Sequence, residues 1–248
     1  MKKDVTNILT FGALPVLAIS LASCGGGGEG GGGASAGSNT PTGAPAAGEI
    51  TLDAGAIGFP KPQFVGTPVP PGNLPNLEKP GEPKTSVNVA EGSTLLSVGK
   101  PVTASDDLPV IGELSYITDG DKEGGDGYYV ELGPDPQWVQ IDLEAEATIE
   151  AIIVWHFHKQ ERVYKDVVIQ VSNDPEFATS TTVYNSDHDN SAGLGEGSDK
   201  VYVETNHGRI IDTNGLAGRY VRLYSNGNTS DDLNHYVEVA VYGKAGGA

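Results

Sequence analysis

Gln137-Trp138-Val139-Gln140-Ile141-Asp142-Leu143 alternates apolar and polar side chains, and Thr148 to Phe157 follows as an apolar run centred on Ile152-Ile153-Val154-Trp155. Alternation with a period of two marks a half-buried strand, and a short β-branched and aromatic run marks a fully buried one. Working outward, the same texture recurs in Val167–Val171, Val201–Glu204, Arg219–Tyr224 and Tyr236–Tyr242. Gly, Asn, Asp and Pro punctuate the intervals, as in the turn Ser172-Asn173-Asp174-Pro175. No segment keeps a helical period over three turns. Many strands joined by turns, without alternating helices, predict an all-β chain with a single jelly-roll β-sandwich over residues 93–244. That length suffices for one core.

The residues before 93 have a different composition. Lys2 and Lys3 lead into an apolar stretch from Ile8 to Ala22, and Leu21-Ala22-Ser23 precede Cys24, the one cysteine in the chain. The run is short for a membrane span and Pro15 interrupts it. The pattern predicts a bacterial lipoprotein signal peptide over residues 1–23, with lipidation of Cys24. Several acyl chains on one residue hold a protein on a membrane durably. Gly25, in place of an aspartate after the cysteine, favours the outer membrane of the cell envelope over the inner. Residues 24–57 are rich in glycine and small residues, which bury too little to fold, and read as a flexible, disordered tether. Residues 58–92 carry Pro60, Pro62, Pro68, Pro70 and Pro71 among others and read as an extended spacer, either pinned to the domain by Phe59 and Phe64 or fully solvated as a linker. Ordered structure is expected from near Ser93.

Acidic residues outnumber basic ones 33 to 15, for a net charge of -18. Such a chain repels nucleic acid and suits neutral glycans, cationic partners or calcium. With Cys24 lipidated, no disulfide is available. There is no Gly-x-Ser-x-Gly elbow, P-loop or His-Glu-x-x-His, so the residues point away from an enzyme.

Taken together, five stretches resemble the discoidin, or coagulation factor 5/8 type C, family of galactose-binding-like jelly rolls. They are Thr118-Asp119-Gly120-Asp121, Gln137–Leu143, Val168–Asp174, Arg219–Leu223 and Val237–Gly243. The resemblance implies a non-catalytic module that binds glycans, phospholipid headgroups or proteins. The chain departs from the family where Tyr128-Tyr129 stands in place of a tryptophan, and it lacks the disulfide joining the domain ends.

In the resembling carbohydrate-binding modules a structural calcium lies between the early loop and a glutamate of the last strand, which implies Asp119, Asp121 and Glu238 here. Calcium takes carboxylates and turn carbonyls; turn-forming aspartates are the other reading of these residues. The family's ligand arginine implies Arg162, in the connection Trp155–Tyr164. A guanidinium offers several donors in a fixed fork, and His158 and Tyr164 lie beside it in sequence. Pairing of Arg162 with Glu161 or Asp166 is the alternative. Ser225–His235 joins the two closing strands and is expected at the same end, which adds Asn234 and His235. The Asp187–Gly195 loop adds His188. Histidines 156, 158 and 188 with Asp187 and Asp189 leave a zinc or copper cluster open, without any recognised metal spacing.

The expectation is a lipid-anchored binding protein that recognises a glycan or polysaccharide through loops at one end of the sandwich. The alternative is a protein-docking component of an envelope assembly. Arg162→Ala is expected to abolish glycan binding with little change in melting temperature.

Overall fold

The computed structural model describes residues 48–64, 72, 74–79 and 81–246. Cys24, the expected signal peptide and most of the expected Gly-rich tether lie outside these residues. Among the described residues no helix is long and apolar enough to cross a membrane.

The chain is an all-β sandwich. Two long strands organise it: β6 (Gln137–Trp155) and β9 (Arg209–Ser225). In chain order the others are β1 (Glu49–Leu52), β2 (Val87–Ala90), β3 (Thr94–Leu95), β4 (Val102–Ala104), β5 (Val130–Leu132), β7 (Val168–Ser172), β8 (Thr181–Asn185), β10 (Asn234–Tyr236) and β11 (Glu238–Ala245). The main sheet runs β3-β11-β6-β9-β7-β8, with β4 also on β6; β5 and β10 form a separate pair, as do β1 and β2. All these strand pairs are antiparallel.

The two apolar runs read from the sequence are one strand. β6 stays paired with β9 from Gln137↔Ser225 to Val154↔Arg209, with irregularities between Asp142 and Ala147 and between Ile149 and Ala151. Glu144 and Asn214 take positive φ at these breaks. The first half of β6 sends Val139 and Ile141 into the main core with Ile169, Val221, Leu223, Val239 and Val241. The second half is buried on both faces, because Ile152 and Val154 join that core while Ala151, Ile153 and Trp155 enter a second one. This explains why residues 151–155 read as an unbroken apolar run.

The second core depends on residues expected to be tether and spacer. Ile57, Val87 and Val89 cover Ala151, Ile153, Trp155 and Tyr242. β1 pairs with β2 in register from Glu49↔Ala90 to Leu52↔Val87. A one-turn helix, Ala54–Ile57, is capped by the Asp53 carboxylate at Ala56 N and ended by Gly58 at φ 67°. The Phe59 ring meets Trp155 at 6.3 Å and His207 at 5.0 Å, and Asn206 Nδ2 donates to the Pro60 carbonyl at 2.9 Å. Ordered structure is therefore present well before Ser93, and the strap 48–64 is part of the fold. Its prolines forbid a central strand, but nothing prevents such a segment from lying over an apolar sheet face. Ile57→Ala should cost about 2–4 kcal/mol in urea unfolding; a cost near zero would show that the strap adds nothing to the core.

Val201–Glu204 is not a strand. Val201 makes one parallel bridge, to Leu77, and the Arg209 guanidinium packs over the Tyr202 ring at 4.8 Å. The alternation there reflects burial against neighbours rather than a ladder.

Candidate functional site

β6 ends at Trp155, and the chain returns to β7 through residues 156–167. This connection is zipped to the one joining β9 and β10. Val163 N donates to Thr229 Oγ1, Thr229 N to the Val163 carbonyl and Lys165 N to the Gly227 carbonyl, each at 3.0 Å. The sandwich thus brings the Arg162 and His235 loops to one end, with β5 alongside through its pairing with β10.

Arg162 is only 5% exposed. Its guanidinium lies 4.8 Å over the Phe157 ring. Nη2 donates to Gln160 Oε1 at 3.1 Å, Nη1 is 3.6 Å from the Asp231 carboxylate, and Nε has no partner. His235 is also buried, with Nε2 3.1 Å from Glu131 Oε2 and Nδ1 unpartnered. Tyr164 is buried and stacks on His156 at 4.3 Å. His158 is buried, with Nε2 2.8 Å from the Lys122 carbonyl.

Asn234 is buried and fully engaged. It donates to the Gly133 and Asp135 carbonyls at 2.8 and 3.0 Å and accepts from Ser225 Oγ and Gly227 N at 2.7 and 2.8 Å. It pins loops together, with no capacity left for a ligand. His188 has its contact elsewhere, with Nδ1 3.1 Å from the Gly197 carbonyl. Among the described residues, the histidines form no three-ligand group. His156 is committed to Glu204 at 2.9 Å, so the zinc or copper arrangement is absent there.

Two aromatic residues complete the end. Tyr129 and Phe157 are half-buried, their rings 4.8 Å apart and each 5.9 Å from His235. Neither they nor Glu131 and Asp231 were named as ligand residues from the sequence. The position of Tyr129 where relatives carry tryptophan was the one available signal. The result is a pair of partly exposed ring faces beside a guanidinium, an imidazole and two carboxylates. That set can stack against C–H faces and both donate to and accept from hydroxyls.

Burial, with help from Arg162, pushes His235 down from its ordinary 6.5 to about 4. Burial and Asp231 push Glu131 up. The folded protein therefore refuses a proton at His235 that the unfolded chain accepts below about 6.5. This stabilising contribution is full above pH 6.5 and is lost as pH falls towards 4, to a limit of about 3 kcal/mol. Glu131 acts with the opposite sign, so the informative quantity is the difference from His235→Gln. That variant should show a flatter decline in melting temperature between pH 6.5 and 4; an unchanged slope would assign the acid limb to other groups.

Glu238 opens β11 inside the protein and is completely buried. Oε2 accepts from Gly120 N at 3.1 Å, and Oε1 is buried without a partner. Burial, then the charges of Asp119 and Asp121, push its carboxyl up to about 8. Asp119 Oδ1 accepts from Asp121 N at 2.7 Å, and Asp121 Oδ1 from Glu123 N at 2.8 Å, which folds the loop tightly against Glu238. A buried carboxylate with a free oxygen beside two more acids is suited to a hard cation, with loop carbonyls supplying further ligands. The ligand atoms of Asp119, Asp121 and Glu238 do not gather into one tight cluster. Among the described residues, such a cluster forms only at Asp166, Asp187 and Asp189, whose ligand atoms lie within 4.8 Å of one another and which could hold a metal. There Asp187 already accepts from Ser191 N and Ala192 N, and Asp166 from Ser191 Oγ and Asn226 Nδ2.

Residues 116–223 match the family model of the NedA-like, galactose-binding domain of the F5/8 type C group. No curated protein matches the sequence significantly. Among solved structures, the chain is similar to the CBM32 of AlyQ in complex with 4,5-unsaturated mannuronic acid, at 24% identity over 57% of this chain and 92% of that one, with a TM-score of 0.41. It is similar to chitosan-binding module 1 from a chitosanase/glucanase of Paenibacillus sp. IK-5, at 23% identity, covering 60% and 99%, with a TM-score of 0.41. It also resembles a family 89 glycoside hydrolase from Clostridium perfringens at 20% identity and a TM-score of 0.46, covering 61% of this chain but only 15% of that enzyme.

Proposed function

We propose that this chain is a non-catalytic carbohydrate-binding protein, held on the bacterial envelope through lipid on Cys24. The supporting observation is the convergence of Tyr129, Phe157, Arg162, His235, Glu131 and Asp231 at one end of a rigid sandwich. Loop-borne sites on such scaffolds commonly carry function. In this reading the sugar stacks on Tyr129 and Phe157 and exchanges hydrogen bonds with the Arg162, Glu131 and Asp231 edge. Affinity for one sugar is weak in this reading. Many copies on one membrane compensate by multivalency.

We assign calcium to the Glu238 site, where it neutralises the buried carboxylate and fixes the Asp119–Asp126 loop. Its role is structural. The outer membrane is the assigned location, from the residue after Cys24.

The test is a glycan array probed with the full chain displayed multivalently, with and without calcium. Hits sharing one terminal sugar support the reading. A blank array from folded protein overturns it and favours docking to an envelope protein. Leu108 and Val110, 79% and 60% exposed, speak for that second reading. They flank the site through the Val110 N to Glu131 carbonyl bond at 2.7 Å.

A further inference from the structure

The loop Asp119–Asp126 is held from three sides. On the first, Gly120 N donates to Glu238 and Gly124 packs against Val237, the neighbour of Glu238: a Cβ on Gly124 would come within 2.9 Å of the valine side chain. On the second, the strap docks. Lys122 Nζ donates to the Ile57 carbonyl at 2.8 Å while lying 5.4 Å over the Trp155 ring. Glu123 accepts from Lys61 N at 3.4 Å and from Gln63 Nε2 at 3.3 Å. On the third, the ligand connection docks. The Lys122 carbonyl is 2.8 Å from His158 Nε2, and Lys159 Nζ is 3.3 Å from Asp126.

Lys122 therefore serves two partners at once, the strap through its side chain and the ligand connection through its carbonyl. The loop has little slack between them. Without a cation, Glu238 keeps one oxygen buried and unpaired at its base, while Asp119 and Asp121 stand exposed in the loop that Gly120 ties to it. With a cation, the same groups are drawn together.

We propose that the Asp119–Asp126 loop couples cation binding at Glu238 to docking of the strap 57–63 and, through His158, to the placement of the connection that carries Arg162. The cation then strengthens glycan binding without touching the sugar, and the strap strengthens cation binding. The inference rests on the calcium reading of the Glu238 site. Coupling of this kind is reciprocal, because each event biases the same element.

The test is hydrogen exchange on the full chain in calcium and in EDTA, with calcium affinity measured by calorimetry. Calcium should slow exchange about 5-fold or more in 53–63 and 157–163. Phe59→Ala should weaken calcium binding by about the same factor. Gln63→Ala, which removes only two exposed hydrogen bonds, to Glu123 and to the Lys61 carbonyl, should act in the same direction in a chain whose core is untouched. Calcium binding with unchanged exchange in both segments overturns the coupling alone. Absence of calcium binding overturns the cation reading and the coupling with it. Slowed exchange in both segments, with weakened binding in both variants, supports the proposal.

Discussion

Arg162→Ala should remove binding to every glycan that the array returns, a loss of about 100-fold or more in apparent affinity. It should also lower the melting temperature. The second effect reverses what the sequence led us to expect, namely a surface contact removable without cost. In the structure Arg162 is 5% exposed and packed on Phe157. Truncation returns the exposed Gln160 Oε1 and the partly exposed Asp231 carboxylate to water, but it removes a buried guanidinium from the face of the Phe157 ring and leaves space there. The loss is mainly one of packing, since solvent screens the Asp231 pair, and costs about 1–2 kcal/mol. Arg162→Lys separates the two effects. Lysine retains a charge near Asp231 but not the planar fork. It should therefore keep more of the stability and still lose the binding. Undiminished binding by Arg162→Lys and Arg162→Ala would place the sugar elsewhere on the molecule.

Chelation should produce the largest change in stability. A ligand present at a thousand times its Kd adds about 4 kcal/mol to the folded state. For a chain of this size, that corresponds to about 8–15 °C in melting temperature. EDTA should lower the melting temperature by this order, and calcium in excess should restore it. Glu238→Gln supplies the control. It removes the charge that the ion neutralises and keeps the shape, so its melting temperature should be insensitive to EDTA. An EDTA-insensitive parent protein, with no metal by elemental analysis, would eliminate the cation from the Glu238 site.

The strands carrying the core were legible because their signal is local. Val139 and Ile141 alternate with Gln140 and Asp142 whatever lies across from them, and the apolar block 151–155 announces burial on both sides. Two features misled that reading. Val201–Glu204 alternates without joining a ladder, since burial alone imposes the same pattern. The strap was hidden by its prolines and glycines, which describe what a backbone cannot do and not where it lies. Ile57, Phe59, Val87 and Val89 acquire their meaning only from the apolar face of Ala151, Ile153 and Trp155 that they cover.

The proposed ligand end divides in the same way. That the Arg162 connection and the Ser225–His235 loop share one end was expected from strand order, and Arg162 itself was singled out by the family resemblance. The roles of individual side chains were not legible. Asn234 looked like a free amide and is spent on Gly133, Asp135, Ser225 and Gly227. His158 looked like a ligand contact and is bound to the Lys122 carbonyl. Tyr129, noted only as standing where relatives carry tryptophan, and Phe157, read as the end of an apolar run, provide the partly exposed rings. The sequence by itself determined the all-β class, most of the strands and the end at which the loops gather, because period and turn chemistry are properties of neighbouring residues. Only the tertiary structure decided which polar groups remain available and that the strap belongs to the core. Both depend on partners far apart along the chain, such as Glu131 with His235 and Gly120 with Glu238, and a buried polar group is free or spent according to those partners alone.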